Sequence, residues 1–121
     1  MSIDFTFTPE LEELRDRVRT FVSEVIRPAE TELVSEQANQ QALDSASKTR
    51  LEILISLRRK AHKAGIWLPH MPEEWGGMGL GHVELAMVQA EAARSYYGPW
   101  VFNCQAPDEG NMHTLLHWAT D

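Results

Sequence analysis

The sequence predicts an all-α fold of four to five helices in a bundle-like or orthogonal arrangement. Apolar residues recur at helical spacing in several segments, and prolines and glycines separate those segments. The one segment that alternates like a strand, residues 3–7, finds no strand partner elsewhere in the sequence. We therefore expect one helical domain over residues 1–121, with residues 1–8 as an extended arm laid on its surface.

The first predicted helix spans residues 9–27. Thr8 can cap its start, Pro9 suits the first helical position, and acidic residues follow in the first turns, where the helix dipole favours them. Pro28 is expected to stop or bend this helix near Arg27. Residues 31–44 are polar and predict a surface connection that can contain a helical turn.

Three further helices are expected over residues 45–64, 82–95 and 108–119, with a short helical piece near residues 100–105. Gly65 fits the left-handed residue that ends the second helix. Residues 48–63 carry six basic side chains and a single acid, Glu52. These bases fit a solvated helix face near a helix C-terminus, or a patch that meets an acidic neighbour or a phosphate-bearing ligand. The third helix is apolar nearly all round, which predicts a central position.

The composition limits the classes of function. The chain has 121 residues, a net charge of −7 and one cysteine, Cys104. This excludes an internal disulfide framework and a cysteine-rich metal site, and it argues against nucleic-acid binding. Apolar runs fall far short of the roughly 20 residues of a membrane helix. With no secretory signal or transit peptide recognised, we expect a cytoplasmic protein of bacterial type without membrane insertion.

Several residue patterns suggest chemistry but fit structural roles better. The glycines of residues 76–81 match neither a dinucleotide fingerprint nor a P-loop, so a tight turn between the second and third helices is favoured. His113 and His117 are expected to be surface histidines, and the scattered His62, His70 and His82 suggest no shared site. We expect no metal site.

Two acidic residues and the cysteine complete the candidate reactive groups. Glu84 and Glu91 are about 10 Å apart along a helix, which is too far for a typical catalytic pair. Either acid is expected to pair with a base such as Arg94 or with a helix N-terminus. Cys104 is expected to be an ordinary buried cysteine. The irregular segment 102–111 fits a ligand wall and a plain connector equally well.

Several motifs, in chain order, resemble the N-terminal α-helical domain of the acyl-CoA dehydrogenases. They cover essentially the whole chain: Asp4-Phe5, Leu14-Arg15-x-x-Val18-Arg19-x-Phe21, Ala64-Gly65-Ile66-Trp67, Pro72-Glu73-Glu74-Trp75-Gly76-Gly77-Met78-Gly79-Leu80, Glu84-Leu85-Ala86-x-Val88, and Phe102-Asn103-Cys104-x-Ala106-Pro107-Asp108-x-Gly110-Asn111-Met112. The last motif is similar to a subgroup with large mitochondrial members and bacterial single-unit relatives. Trp75 stands where a tyrosine is usual, and Ala119 where a glycine is common.

The resemblance implies an FAD-dependent oxidoreductase that acts on CH–CH groups. Family members remove a hydride from the β-carbon of an acyl-CoA thioester while a carboxylate removes the α-proton, as in the β-oxidation of fatty acids. Electrons leave through electron-transfer flavoprotein, and members are commonly homo-oligomers. By position, the substrate-binding residues would form part of an acyl-chain wall: Phe102, Asn103, Ala106, Pro107 and Gly110.

The resemblance assigns no catalytic residue to this sequence. The family's flavin-binding motifs, with Thr-Glu-Pro and Gly-Ser-Asp, and its catalytic glutamate have no counterpart in the 121 residues. We therefore expect this segment by itself to be inactive, and we expect FAD to be held mainly by other parts of the complete enzyme. The alternative is a non-catalytic helical interaction module that shares the same domain.

Overall fold

The computed structural model describes residues 3–38 and 43–120, with side chains described at 3–35 and 49–120. Helices dominate these ranges, and no strand occurs within them. In chain order they are α1 (Pro9–Phe21), a π-helical segment (Val22–Ile26), α2 (Arg27–Ala38), α3 (Leu43–Lys63), a 3-10 turn (Glu73–Trp75), α4 (His82–Ala92), α5 (Gly98–Val101) and α6 (Asp108–Trp118). The predicted all-α class is confirmed. No helix in the described residues is both long and apolar enough to cross a bilayer.

Helix α1 begins as its sequence signals indicate. The hydroxyl of Thr8 accepts a hydrogen bond from the amide of Leu11 at 3.3 Å, and Pro9 occupies the first turn. Before the cap, residues 3–7 form no regular secondary structure. Phe7 packs against the core beneath the Arg15 guanidinium, whereas Phe5 is 85% exposed. Within the described residues 3–7, the Phe7 ring therefore packs against the body of the domain.

Pro28 neither stops the helix nor leaves a break near Arg27. The chain widens into the π-helical segment Val22–Ile26, and the amide of Arg27 donates to the carbonyl of Val22, five residues earlier. This wider turn directly precedes the proline, which has no N–H to contribute to the helical ladder. Helix α2 continues from Arg27 to Ala38, so the expected stop or bend is replaced by a π-helical turn.

The prediction of a surface connection over residues 31–44 is wrong where the structure describes it. Residues 31–38 belong to α2 and residues 43–44 to α3, while residues 39–42 lie outside the described part. Two contacts explain the extra helix. Leu33 is fully buried, and a carboxylate oxygen of Glu30 accepts from the Ser95 hydroxyl at 2.7 Å and the Tyr96 amide at 2.9 Å. Burial and long-range hydrogen bonds therefore hold a segment whose polarity suggested a loop.

The hydrophobic core joins α1, the π segment, α2, α3, α4 and α5. Helix α1 packs against α4, and α3 packs against α2 and α5. The rings of Phe21 and Phe102 meet at 5.6 Å in this core. The least exposed apolar side chains lie on all of these elements: Val18, Val22, Ile26, Leu33, Ala61, Val88, Ala92, Val101 and Phe102.

Helix α4 is central on one side only. Its inner face buries Met87, Val88 and Ala92, but Val83 is 62% exposed at its start. The predicted central position therefore holds for the inner face of the helix only. The chain leaves the helix at Ala92, three residues before the predicted end, and turns back at once. This return is tight, because a Cβ on Gly98 would collide with the Ala92 carbonyl.

A charged network crosses from α1 to the buried side of α4. Arg19 donates two hydrogen bonds to the Glu91 carboxylate, at 2.6 and 3.1 Å, and Arg94 donates a third at 3.3 Å. The expected pairing of Glu91 with a base is confirmed. The hydrogen bonds from Arg19, ahead of those from Arg94, hold the pKa of Glu91 below its usual value although burial opposes the shift.

We expect Gly98→Ala to lower the free energy of unfolding by about 2 kcal/mol or more, because the added methyl group must push the Ala92 carbonyl aside. Urea denaturation measures this loss. Gly110→Ala is the matched control, since no heavy atom lies within 4 Å of its added methyl group and its φ is ordinary. It should be neutral or stabilising by up to about 1 kcal/mol. A Gly98→Ala protein as stable as the unaltered chain would contradict the close approach.

We expect Glu91→Gln to destabilise the protein at neutral pH and to do so less as the pH falls. The folded-state pKa of Glu91 is lowered, so its contribution is present above the unfolded-state pKa near 4.5 and is lost as the pH drops through the folded-state pKa. Denaturation midpoints between pH 3 and pH 7, compared with those of Glu84→Gln on the same helix, would show the convergence. A constant difference across that range would rule out the ion pair as the source.

Candidate functional site

The five predicted wall residues divide into two groups in the structure. Phe102 is fully buried and Asn103 nearly so, whereas Ala106, Pro107 and Gly110 are exposed at the start of α6. The Phe102 ring faces the core, so it can support a wall from behind but does not itself face solvent. The open surface consists of the three residues around the first turn of α6, and space is free next to Gly110.

The turn between α5 and α6 is held from the side of α4. The Gln89 side-chain amide donates to the Cys104 carbonyl at 3.3 Å and to the Glu109 carboxylate at 3.0 Å. A single side chain therefore fixes both the turn and the first residues of α6. Gln89 was not singled out in the sequence, since nothing in its local pattern indicates a contact 15 or 20 residues away.

Cys104 lies within this turn and is unsuited to nucleophilic chemistry. Its side chain is buried, and burial, more than the nearby Glu109 carboxylate, raises the pKa of the thiol to about 12. The thiol is therefore protonated at neutral pH, and the thiolate is the reactive form. The expectation of an ordinary buried cysteine is confirmed.

Two residues of this site adopt the left-handed backbone conformation although neither is a glycine. Leu68 has φ +48° and Asn103 has φ +55°. They are adjacent in space, because the Leu68 amide donates to the Phe102 carbonyl at 3.0 Å. Asparagine tolerates this conformation, but leucine rarely adopts it. Strained backbone of this kind is concentrated at ligand-binding and catalytic sites.

The glycine-rich turn next to it offers no phosphate cradle. The amides of residues 76–80 all donate to backbone carbonyls of residues 68–73, at 2.9–3.3 Å. Gly76 and Gly79 have positive φ, and a Cβ on Gly77 would collide with a backbone carbonyl. The predicted tight turn is confirmed, and its amide groups are already occupied by the fold.

The histidines do not behave as the sequence indicated. His113 is half-buried, and its ring lies 5.3 Å from that of His70, which is only 6% exposed. Neither His70 ring nitrogen has a hydrogen-bond partner among the described residues. Burial lowers the pKa of His70, ahead of the raising effect of Glu109 and the lowering effect of His113. The predicted surface position holds for the exposed His117 but not for the half-buried His113, and no metal-binding cluster occurs in the described residues.

The basic face of α3 is not uniform. Arg59, Lys60 and Lys63 are exposed, as the solvated-face interpretation requires. Arg58 instead turns inward, where its Nε donates to the Trp100 carbonyl at 3.0 Å. Arg17 reaches the end of the same helix and donates to the Ala64 carbonyl at 3.0 Å. Near this helix end, some basic residues are therefore solvent-exposed, whereas Arg58 and Arg17 donate hydrogen bonds to backbone carbonyls.

Three grooves stand out on the surface of the described residues, and the predicted wall residues line none of these three. The first, of about 640 Å³, lies between α1 and the end of α3. The second, about 490 Å³, lies beside Phe7 and the outer face of α4. The third, about 530 Å³, is an apolar groove between the 3-10 turn and α6. The open surface at Ala106, Pro107 and Gly110 is thus separate from these three grooves.

Several large apolar side chains are exposed around these features. Trp118 is 83% exposed, Trp75 65% and Leu115 63%, and the last two line the groove along α6. Such apolar exposure over one region is typical of surfaces that are covered in a larger assembly. The site and its surroundings therefore look incomplete by themselves.

Comparison with known proteins gives consistent matches. The sequence profile of "Acyl-CoA dehydrogenase, N-terminal domain" matches residues 8–121. The chain is 33% identical to human acyl-CoA dehydrogenase family member 11, across 97% of this chain and 14% of that protein. It is also 33% identical to mouse acyl-CoA dehydrogenase family member 10, across 94% of this chain and 11% of that protein.

A solved structure shows the same fold. A chain from Mycobacterium abscessus, assigned to the acyl-CoA dehydrogenases, superposes with a TM-score of 0.80 at 31% identity, across 97% of this chain and 30% of that one. The chain therefore spans less than a third of the length of each of these three proteins. The profile match and the structural likeness agree with the expected resemblance, and the chain belongs to the acyl-CoA dehydrogenase family, of which it carries the N-terminal domain.

Proposed function

We propose that the chain serves an FAD-dependent acyl-CoA dehydrogenase by forming one wall of the cavity for acyl chain and flavin. The main observation in support of this proposal is the first turn of α6, where Ala106, Pro107 and Gly110 present an open, uncharged surface. Family membership supplies the reaction class, an α,β-dehydrogenation of acyl-CoA thioesters in fatty-acid or related catabolism. Bound FAD would accept the hydride from the β-carbon of the acyl group.

In this proposal, the residues of the chain shape one side of the acyl-chain cavity and exclude water from it. An uncharged wall at Ala106, Pro107 and Gly110 favours an alkyl chain over water through the hydrophobic effect. Asn103 and the buried Phe102 ring fix the backbone behind that wall. No residue here is assigned to proton abstraction, because no residue of this chain is matched to the family's catalytic glutamate. The Glu109 carboxylate at this turn accepts a hydrogen bond from Gln89.

The flavin itself is assigned to other parts of the complete enzyme. A dinucleotide cofactor needs amide donors for its phosphates, and the glycine turn of this chain has none free over residues 76–80. The proposed part of this chain in flavin binding is to close one side of the shared cavity. Acyl-CoA, electron-transfer flavoprotein and further copies of the enzyme are the proposed partners, and a cytoplasmic location stays a prediction.

The alternative of a self-contained interaction module is less well supported. A stable module is expected to bury its apolar faces, whereas Trp75, Val83, Leu115 and Trp118 are each more than 60% exposed. A domain that closes a cavity and packs against other domains has a reason to expose such side chains. The exposed faces thus favour the dehydrogenase over the module.

We expect the 121-residue chain alone to show no turnover of acyl-CoA with a dye acceptor, because no residue in it is matched to the catalytic base. The measurement is dye reduction with a series of acyl-CoA thioesters and added FAD. An established acyl-CoA dehydrogenase provides the positive control. Steady turnover by the isolated chain, with a bound yellow flavin, would contradict the proposed division of roles.

In the complete enzyme, we expect Gly110→Leu to lower kcat/KM for long-chain acyl-CoA by about tenfold, because the new side chain fills space that the acyl group would occupy. Short-chain substrates should be affected less. Asn111→Leu is the matched control, since it adds a similar side chain at the next exposed position of α6. Equal kcat/KM ratios across chain lengths in Gly110→Leu would remove this residue from the wall.

A further inference from the structure

Among the α3 bases whose side chains the structure describes, Arg58 turns toward the candidate site. Its Nε donates to the Trp100 carbonyl at 3.0 Å, and its Nη2 lies 3.5 Å from Oδ1 of Asn103. It therefore contacts both the last turn of α5 and the left-handed residue that follows. The neighbouring Arg59 is exposed.

Two indole rings flank the Arg58 guanidinium. Its central carbon is 3.5 Å from the centroid of the Trp100 ring and 5.6 Å from that of Trp67. A planar guanidinium can stack on an indole and donate hydrogen bonds in its own plane at the same time, which an ammonium cannot do. The site is thus specific for the shape of arginine as well as for its charge.

Arg58 makes these contacts without an acidic partner. None of the ion pairs in the described residues includes it, and burial lowers the pKa of its guanidinium, with Asp108 opposing the shift. A half-buried arginine that forms no ion pair with a carboxylate must be held in place by its aromatic and backbone contacts. Its position is therefore set by the turn that it contacts, and it restrains that turn in return.

The turn that Arg58 contacts is the one that precedes the candidate wall. The amides of Asn103 and Cys104 donate to the carbonyls of Trp100 and Pro99, at 3.1 and 2.9 Å, and the Leu68 amide donates to the Phe102 carbonyl at 3.0 Å. Gln89 holds the same turn from the opposite side through the Cys104 carbonyl. Arg58 and Gln89 thus act on neighbouring residues, and only Arg58 contacts the left-handed one.

We propose that Arg58 is a positioning residue for acyl-CoA: by joining Trp67, Trp100 and Asn103 it fixes the left-handed turn and thereby places Ala106, Pro107 and Gly110 along the acyl chain. This role rests on the proposed function. Arg58 contacts the wall only through the turn, so it acts on substrate affinity and not on the chemical step. Its loss should therefore appear in KM, with kcat little changed.

The first test follows the turn without any substrate. Amide hydrogen exchange is measured on the 121-residue chain and on Arg58→Lys, Arg58→Gln and Arg59→Gln. In both Arg58 variants we expect about tenfold faster exchange at Leu68, Asn103 and Cys104, as for loss of a charge-assisted hydrogen bond. Amides of α1 should be unchanged in every variant, and Arg59→Gln should match the unaltered chain.

Two results of this exchange test would overturn the proposal. If these three amides exchange as slowly in Arg58→Lys as in the unaltered chain, then a positive charge alone holds the turn, and stacking of the guanidinium is not required. If α1 amides accelerate as much as those of the turn, then Arg58 stabilises the whole fold and does not position this segment. Trp100→Phe, which keeps the backbone acceptor but shrinks the stacking surface, should show a smaller acceleration at the same three amides.

The second test uses the complete dehydrogenase. Arg58→Lys should raise KM for acyl-CoA about tenfold with kcat within about twofold, and Arg59→Gln should change neither. An unchanged KM in an Arg58 variant whose turn exchanges faster would overturn the link to substrate. If the unaltered enzyme turns over no acyl-CoA, the proposed function fails along with that link, and the exchange result still decides whether Arg58 fixes the turn.

Discussion

The left-handed backbone at Leu68 is the constraint on which the candidate site depends. Its amide donates to the Phe102 carbonyl, while its own carbonyl accepts from the amides of Met71 and Met78. One residue therefore joins the segment after α3, the glycine-rich turn and the end of α5. An ordinary φ at Leu68 would turn its amide and carbonyl away from these partners, so the conformation is set by the three connections and not by the preference of leucine.

Local signals in the sequence were sufficient for most helix starts and turns. The Thr8 cap, the left-handed Gly65 and the glycines of residues 76–79 all occupy the backbone positions that their chemistry predicts. These signals work because each depends on a few adjacent residues. Resemblance predicts Ala106, Pro107 and Gly110 as wall residues, and these three lie together on an exposed turn.

What the sequence could not show depends on contacts between distant residues. Glu30 stabilises α2 through hydrogen bonds from Ser95 and Tyr96, which lie 65 and 66 residues away. The polar stretch after it is therefore helical, although its composition is typical of a loop. Arg58 looked like one more exposed base because its neighbours are exposed, and its partners Trp100 and Asn103 lie more than 40 residues later. The contact between His70 and His113 has the same origin. No local period or spacing records such pairs.

The contrast among the glycines bears on how such a domain can change over time. A Cβ at Gly77 or Gly98 would collide with a neighbouring backbone carbonyl. Mutations at these two positions therefore destabilise the folded state and are removed by selection. A Cβ at Gly110 would meet no atom of another element within 4 Å, so a side chain can be added there without a collision at its first atom. For a domain with the proposed role, one nucleotide substitution at that codon would alter the surface facing the acyl chain while the scaffold persists. Substrate range could then diverge between descendants through stable intermediates, with no compensating mutation required.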